Sequence, residues 1–380
     1  DPEMSRGLGD VYKRQALGKT SVAKYSTMLV AHCRDHRLRG ILQFYGANRS
    51  GRWAGRLVQT HNLAKNSLPD LALARELAAE GDFDTMGTLF GETAFVFSEL
   101  IRTAFIPSEG CRFIVSDFSA IEARVLAWIA GEEWVLEAFR AGKDIYCETA
   151  SMMYHVPVEK HGANSHLRQK GKVAVLACGY QGGVGAMKRM DKGGSIPEDE
   201  LQSVVDQWRQ ANSKVVKLWR TVELAARTAI EEHRTIRLKN GIAFGYINGN
   251  LFIKLPGGRK LCYWNTRLKL DPRDGREHIV YMGVNQETKQ WGETETYGGK
   301  LVENIVQATA RDCLAISMQR VAALGYNIVM HVHDEIIVDC PIEDTGAMER
   351  INACMAEPIP WAPGLPLRGD GYETPFYMKD

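Results

Sequence analysis

The stretch CRFIVSDFSAIEARVLAWIAG, residues 111–131, decides the fold class of this chain. Its first seven residues are largely apolar and β-branched, which predicts a short buried strand. The residues that follow place Ile121, Val125 and Ile129 at helical spacing, which predicts an amphipathic helix. Asp117 stands where the strand ends, and a carboxylate there is costly to bury unless it is paired, hydrogen-bonded or bound to a metal ion. The stretch therefore predicts a strand and a helix with an acidic group between them.

A second acidic residue interrupts buried sequence further along the chain. The segment YNIVMHVHDEIIVDC, residues 326–340, consists of two β-rich runs that meet at HDE, which predicts a hairpin with Asp334 at its tip. If Asp117 and Asp334 lie together, Mg²⁺ would relieve their repulsion while keeping water and substrate phosphate as further ligands. Two such ions can clamp an in-line phosphoryl displacement. The alternative is that each aspartate is only a turn or cap residue.

Helical and strand-like segments alternate irregularly over the rest of the chain. Residues 70–105, 198–234 and 300–324 are typical of helices, and residues 18–40 look helical and basic. Residues 235–299 are rich in turns and include the hairpin-like LFIKLPGGRKLCYW. Antiparallel hairpins mixed with helices favour an α+β fold over a doubly wound parallel sheet.

The composition excludes several classes of protein. The 380 residues are 45% hydrophobic and 24% charged, unlike a disordered, collagen-like or fibrous chain. The longest apolar runs fall short of the roughly 18 residues that span a bilayer, so we expect no membrane partner. No signal peptide is visible. The eight cysteines are scattered without a CxxC pair, which argues against a zinc ribbon and indicates a reducing compartment. We therefore expect a cytoplasmic protein.

The formal net charge of +1 hides two basic segments. From Arg34 to Lys65 there are seven Lys and Arg against one Asp, a net of +6, and Lys160 to Lys192 has the same balance. A neutral total therefore leaves room for a local basic groove. Residues 48–62 interleave arginine, amide and histidine with glycine, which suits a nucleic-acid backbone and minor groove. The alternative is a polar surface loop.

One helical face combines two cations with an aromatic ring. Arg168, Lys172, Leu176 and Tyr180 are spaced four apart, which places them along one side of a helix. This combination suits a triphosphate and a stacked base. Neighbouring glycines, such as Gly171, weaken a helix and indicate close approach of another group. The alternative is a solvated basic face with one core tyrosine.

Two further patterns each have more than one interpretation. Ser119 and Glu122 have the spacing of a capping box, in which Glu122 bonds back to the start of the helix. His331 and His333 fall on one strand face beside Asp334, so an HxHD cluster could hold a metal ion, as in metal-dependent phosphohydrolases. No further ligand cluster with convincing spacing accompanies it in the sequence.

Taken together, these stretches resemble the three ordered motifs of the family A, or DNA polymerase I-like, DNA polymerases. Residues 115–128 resemble motif A, residues 168–183 resemble motif B on the fingers helix, and the VHDE of residues 332–335 resembles motif C. FYGANRSGRWAGRLVQTHNL and YGGKLVENIVQATARD are similar to the bacteriophage or prophage branch. The resemblance covers nearly all the chain. It implies a right-hand architecture with an antiparallel-sheet palm and helical fingers, and a template-directed DNA polymerase acting in phage DNA replication.

The resemblance also implies a role for individual residues. The implied ligands of two Mg²⁺ ions, which Mn²⁺ can replace, are Asp117, Asp334, the carbonyl of Phe118 and, less critically, Glu335. The implied nucleotide-binding residues are Arg168, Lys172, Leu176, Tyr180 and Glu122. The implied contacts to primer–template DNA are Arg52, Asn62, Gln307 and His333. With Asp117 and Asp334, Lys172 is the third implied catalytic residue, because it can protonate the pyrophosphate leaving group.

Glu122 is the implied steric gate, whose side chain occupies the space that a 2′-hydroxyl needs. Tyr180 is expected beside the templating base. Leu176 departs from the family pattern, since many members have Phe or Tyr there, and Gln181 stands where many members have Gly. The loss of a ring at Leu176 leaves rate, fidelity and dideoxynucleotide discrimination open.

The resemblance divides the chain as follows. We interpret residues 1–15 as an assembly remnant, 16–40 as the end of a thumb, 41–130 as the first part of the palm, 131–235 as the fingers and 236–380 as the second part of the palm. The thumb is then largely missing and proofreading is absent. We expect a monomer that uses dNTPs and primer–template DNA, with a separate exonuclease or processivity factor. The alternatives are an HxHD phosphohydrolase, or a DNA-binding core too truncated to extend a primer.

Overall fold

The computed structural model describes residues 22–285 and 288–379. Within these ranges the α-helices are α1 (Ala23–Ala31), α2 (Leu71–Glu80), α3 (Phe83–Phe90), α4 (Thr93–Leu100), α5 (Ile121–Ala130), α6 (Glu133–Arg140), α7 (Ile145–Tyr154), α8 (Leu167–Cys178), α9 (Val184–Met190), α10 (Leu201–Ala211), α11 (Ser213–Glu232), α12 (Gly298–Ala323) and α13 (Ala347–Ala356). The strands are β1 (Leu42–Ala47), β2 (Arg52–Gly55), β3 (Cys111–Phe118), β4 (Ile236–Arg237), β5 (Ala243–Ile247), β6 (Asn250–Lys254), β7 (Lys260–Asp271), β8 (Arg276–Val284), β9 (Trp291–Thr296), β10 (Asn327–Val332), β11 (Glu335–Pro341) and β12 (Gly369–Thr374).

A four-stranded antiparallel sheet carries both predicted acidic positions. Its strand order is β10-β11-β3-β12, so the strand that contains Asp117 lies beside the strand that begins at Glu335. The predicted hairpin is confirmed: β10 and β11 pair with Val332 opposite Glu335, and His333 and Asp334 form the connection. His333 turns the chain at a φ of 54°. The apolar run before Asp117 is buried, as the sequence predicts.

The turn-rich region forms a second sheet of six antiparallel strands, β4 to β9 in chain order. The predicted hairpin within it is confirmed as β6 and β7, which pair from Leu251 and Tyr263 to Lys254 and Lys260. A third, two-stranded sheet joins β1 and β2. Since every paired strand in the described residues is antiparallel and helices pack against the sheets, the α+β fold is confirmed.

One large apolar core joins the four-stranded and six-stranded sheets to the helices that pack on them. It contains buried side chains of β3, β11, the helices α5 to α13 and the strands β5 to β8. Gly171 explains how α8 fits into this core: a Cβ built on it would lie 2.2 Å from the carbonyl oxygen of Tyr146 on α7. The close approach that the sequence indicated is therefore made by a neighbouring helix.

Some helices differ from the sequence expectation. The helix expected over 18–40 begins at Ala23 and ends at Ala31, and residues 18–21, like the proposed remnant 1–15, lie outside the described residues. The stretch 198–234 is two helices, because Asn212 leaves helical geometry between α10 and α11. None of the helices in residues 22–285 and 288–379 is both long and apolar enough to span a bilayer.

Candidate active site

The four-stranded sheet brings the two predicted aspartates to one cavity. The Phe118 backbone N–H donates a 3.1 Å hydrogen bond to the carbonyl oxygen of Asp334, which fixes the end of β3 against the hairpin tip. The cavity encloses about 370 Å³. The side chains that line it belong to Arg52, Asp117, Glu122, His333, Asp334 and Lys379. Asp117 and Asp334, which are remote in sequence, therefore meet because β3 pairs with β11.

The electrostatics of this cavity favour a cation. Burial raises the pKa of Asp117 to about 7; Lys379 opposes the rise, whereas Asp334 and Glu335 add to it. A divalent cation would offset both the loss of solvation and the repulsion among the carboxylates. Carboxylate and carbonyl oxygens are the donors that Mg²⁺ prefers. The residues present thus fit a magnesium site at Asp117, Asp334 and the Phe118 carbonyl.

A chain of polar contacts leads from Asp334 to Tyr180, which follows α8. Arg52 lies 3.2 Å from Oδ1 of Asp334 and 3.0 Å from Oε1 of Glu122. The other oxygen of Glu122 accepts a 2.8 Å hydrogen bond from the hydroxyl of Tyr180. Arg52 thereby bridges the carboxylate of Asp334, beside Asp117, and that of Glu122, beside Tyr180.

These contacts correct the expectation of a capping box. The N-cap of α5 is Ala120, at a φ of 50°, and no side chain makes a capping hydrogen bond there. The side chain of Glu122 is directed into the cavity, where Arg52 and Tyr180 bind it, and not back to Ser119. The capping-box pattern was wrong because the turn before α5 is left-handed, a geometry that the spacing alone does not reveal.

The four residues spaced along α8 have different surroundings. Both Nε and one terminal nitrogen of Arg168 donate to Oδ2 of Asp144, at 2.9 and 2.8 Å. Asp144 is itself the N-cap of α7. Lys172 is half-buried, and no carboxylate in residues 22–285 and 288–379 forms an ion pair with it. The two cations thus differ: one is bound and one is available.

Leu176 and Tyr180 lie further along the same side. The predicted helix ends at Cys178, so Tyr180 follows it and does not belong to its last turn. Leu176 is 48% exposed. Both residues, with Glu122 and Gln307, line an apolar cavity of about 320 Å³ between α5 and α8. The structure therefore brings together the four residues expected near the nucleotide sugar, the base pair and the primer end.

The expected DNA contacts are only partly brought together. Arg52, Gln307 and His333 share a groove of about 680 Å³ that runs between the β1–β2 hairpin, α12 and the six-stranded sheet. Asn62 is exposed on a short 3-10 turn and does not line this groove.

The HxHD pattern does not form a metal cluster in the described residues. His331 is buried with its ring against Trp53, at a centroid distance of 4.6 Å, and burial followed by the charge of Arg311 lowers its pKa to about 4. It does not line the cavity of Asp334. Within the described ranges, a group of three or more His, Cys, Asp or Glu side chains with all ligand atoms within 4.8 Å of one another occurs only at Asp271, Asp274 and His278.

Two functional candidates were missed at the sequence level. Lys379 lines the aspartate cavity, with Nζ 3.2 Å from Oε2 of Glu335, and it belongs to no motif that would single it out. Asp144 holds Arg168, and its signal was only that of an ordinary N-cap before α7. Both act through tertiary contacts that no local pattern encodes.

Comparison with known proteins finds DNA polymerases among the relatives of this chain. A model of DNA polymerase family A matches residues 95–244, which include β3 and α8. The DNA polymerase of Bacillus phage SP02 is 53% identical over 368 residues, 97% of this chain and 56% of that protein. The thermostable DNA polymerase I of Thermus aquaticus is 29% identical over 255 residues, 66% of this chain and 25% of that protein. The chain thus spans little more than half of the phage relative and a quarter of the bacterial one.

The fold also has a counterpart among solved structures. The POL domain of Pol1 from M. smegmatis, in complex with DNA primer-template and dNTP, matches with a TM-score of 0.60 at 18% identity. The match covers 92% of this chain and 50% of that chain. This likeness is one of fold, and it covers more of the chain than the family model does.

Proposed function

The chain belongs to DNA polymerase family A, and on that premise we propose that it is a template-directed DNA polymerase acting in phage DNA replication. Its partners in this proposal are primer–template DNA and dNTPs. The observation that carries the proposal is the single cavity in which Asp117 and Asp334 face Glu122 and Arg52. Acidic residues gathered in one half-buried cavity suit divalent cations and a phosphoryl transfer.

In the proposed reaction the primer 3′-hydroxyl gives its proton to water and its oxygen forms a bond to the α-phosphorus of the dNTP. The bond from that phosphorus to the α,β-bridging oxygen breaks, and pyrophosphate leaves. Asp117, Asp334 and the Phe118 carbonyl would hold two Mg²⁺ ions, which Mn²⁺ can replace and which supply Lewis acidity when bound. Such transfers depend mainly on positioning and on stabilisation of charge.

The residues of α8 have the complementary role in this proposal. Lys172 forms no ion pair within the part of the chain that the structure describes. In this proposal it binds the triphosphate and donates a proton to the departing pyrophosphate. Arg168 binds the triphosphate while it shares its guanidinium with Asp144. Glu122 blocks the position of a 2′-hydroxyl, and the Leu176 and Tyr180 side chains contact the sugar and the nascent pair. Arg52, Gln307 and His333, which line one groove, contact the primer–template minor groove in this proposal. The contact of Asn62 with DNA stays a prediction from the sequence.

The test is primer extension on a labelled primer–template with Mg²⁺ and dNTPs, comparing the parent chain with Asp334→Ala. We expect extension by the parent and none by the variant, with duplex binding retained by both. Extension by Asp334→Ala at near the parental rate would contradict the two-metal assignment. A parent that binds the duplex in a salt-sensitive way but never extends it would contradict polymerase activity of this chain.

A further inference from the structure

Lys379 places a positive charge among the carboxylates of the candidate active site. Its Nζ lies 3.2 Å from Oε2 of Glu335, and its side chain lines the same cavity as Asp117 and Asp334. Glu335 is paired directly across the sheet with Asp117. A lysine ammonium is a compact point charge on a flexible stem, so it can occupy a position where a metal ion would otherwise be attracted.

A built network holds this lysine in position. Both oxygens of Glu335 are engaged: the hydroxyl of Tyr377 donates to Oε1, and Lys379 donates to Oε2. Arg102 donates a 2.9 Å hydrogen bond to the Tyr377 oxygen. The backbone N–H of Lys379 donates to Oδ1 of Asn66 at 3.1 Å. Glu335 is almost fully buried, so its charge requires the partners that this network supplies.

The charged side chains around the cavity sum to a net negative charge. When every carboxyl is ionised, Asp117, Asp334, Glu122 and the adjoining Glu335 contribute four negative charges, whereas Arg52 and Lys379 contribute two positive charges. The result is a net charge of −2, which one divalent cation neutralises. Without Lys379 the same cavity would carry −3 and would attract cations more strongly.

We propose that Lys379 is the resident counter-cation of the carboxylate cavity and that Glu335 positions it. In this role Lys379 lowers the affinity of the nucleotide-free protein for divalent cations and limits it to one ion, and Glu335 is a positioning residue for Lys379. The inference rests on the proposed function only in taking the cavity as the metal site.

The test measures cation binding directly, in the full chain without DNA or nucleotide. Mn²⁺ is the probe, because its free form is quantified by electron paramagnetic resonance. Lys379→Met keeps the aliphatic stem and removes the charge, and we expect Mn²⁺ to bind it roughly three- to tenfold more tightly than the parent. Lys379→Arg retains the charge and should bind Mn²⁺ like the parent.

Lys254→Met is the matched control, because Lys254 is exposed on β6 outside the cavity and the substitution changes the total charge equally. Its Mn²⁺ affinity should equal that of the parent. Unchanged or weaker binding by Lys379→Met would overturn the inference, as would a gain shared by Lys254→Met. Thermal unfolding of each variant shows that the folded state is being titrated.

This measurement separates the inference from the proposed function. A chain that fails to extend primers but binds Mn²⁺ more tightly after Lys379→Met would contradict polymerase activity while supporting the role of Lys379. A chain that extends primers but whose Mn²⁺ affinity is unchanged by Lys379→Met would support polymerase activity and contradict the role of Lys379.

Discussion

The carboxylate end and the cation end of the candidate site are built in different ways. Asp117 and Asp334 are fixed by strand pairing, since the Phe118 N–H binds the Asp334 carbonyl oxygen across the sheet. Arg168 and Lys172 share a face of α8, yet Arg168 is bound to Asp144 and Lys172 is not paired in the described residues. Strand register specifies both position and neighbour, whereas helical periodicity specifies only direction. The carboxylate end is therefore preorganised, and the cation end must adjust when substrate binds.

The largest effect should come from the carboxylate end. We expect Asp117→Asn to reduce the single-turnover rate of nucleotide incorporation by roughly a thousandfold or more, because the substitution removes a preorganised ligand charge. Circular dichroism should show an unchanged fold. An incorporation rate within tenfold of the parent would mean that Asp117 does not bind the reacting metal ions.

The same substitution should stabilise the metal-free protein at alkaline pH. The folded-state pKa of Asp117 is about 7, above its ordinary value of 3.8, so ionisation opposes folding increasingly as pH rises between these values. In chelator at pH 8, Asp117→Asn should gain roughly 1–3 kcal/mol of unfolding free energy. The gain should shrink as pH falls and disappear below about pH 4. Denaturant unfolding at several pH values measures this, and a gain independent of pH would exclude the carboxylate as its cause.

At the cation end, the two residues of α8 should behave unequally. Lys172→Ala should lower kcat by roughly a hundredfold, because Lys172 is the available cation and the proposed proton donor. Arg168→Ala should mainly raise the KM for dNTP, by about tenfold, since Asp144 already binds its guanidinium. Steady-state kinetics on one template separates kcat from KM. Equal effects of both substitutions would indicate that Arg168 leaves Asp144 when substrate binds.

Glu122 joins the two ends, and its removal should change selectivity more than rate. Glu122→Ala opens the space beside Tyr180, so the ratio of ribonucleotide to deoxynucleotide incorporation should rise by about tenfold or more. Competition between the two nucleotides on one primer–template provides the measurement. An unaltered ratio would leave Glu122 only as the partner of Arg52 and Tyr180.

His331 should have the smallest effect on extension. It packs on Trp53 away from the aspartate cavity, so His331→Ala should change the extension rate by no more than about threefold. A phosphohydrolase built on the HxHD pattern would lose its activity in the same variant. Loss of metal-dependent phosphate release would therefore favour that alternative.

The sequence predicted those parts of the molecule that local pattern controls. The buried strand before Asp117, the hairpin that carries Asp334 and the α+β fold are confirmed, because alternation and turn chemistry determine each of them. The assigned roles of the site residues and the division into palm and fingers stay predictions.

The sequence could not predict the tertiary partners of the site residues. Glu122 was compatible with a cap until the left-handed Ala120 and the contact with Arg52 redirected it. The binding of Arg168 by Asp144 joins two helices. Lys379 reaches Glu335 because β12, which precedes it in the chain, pairs with β3 at the edge of the sheet. Such contacts arise from packing between elements, and no residue spacing records them.

Because Arg52 contacts both Asp334 and Glu122, cation binding at Asp334 and nucleotide binding near Glu122 are thermodynamically coupled. A cation that binds Asp334 competes with Arg52 for that carboxylate and frees the guanidinium for Glu122. Glu122 in turn holds the hydroxyl of Tyr180. Such linkage is reciprocal. If a bound cation changes the affinity for a nucleotide placed against Tyr180 by some factor, the nucleotide changes the affinity for the cation by the same factor.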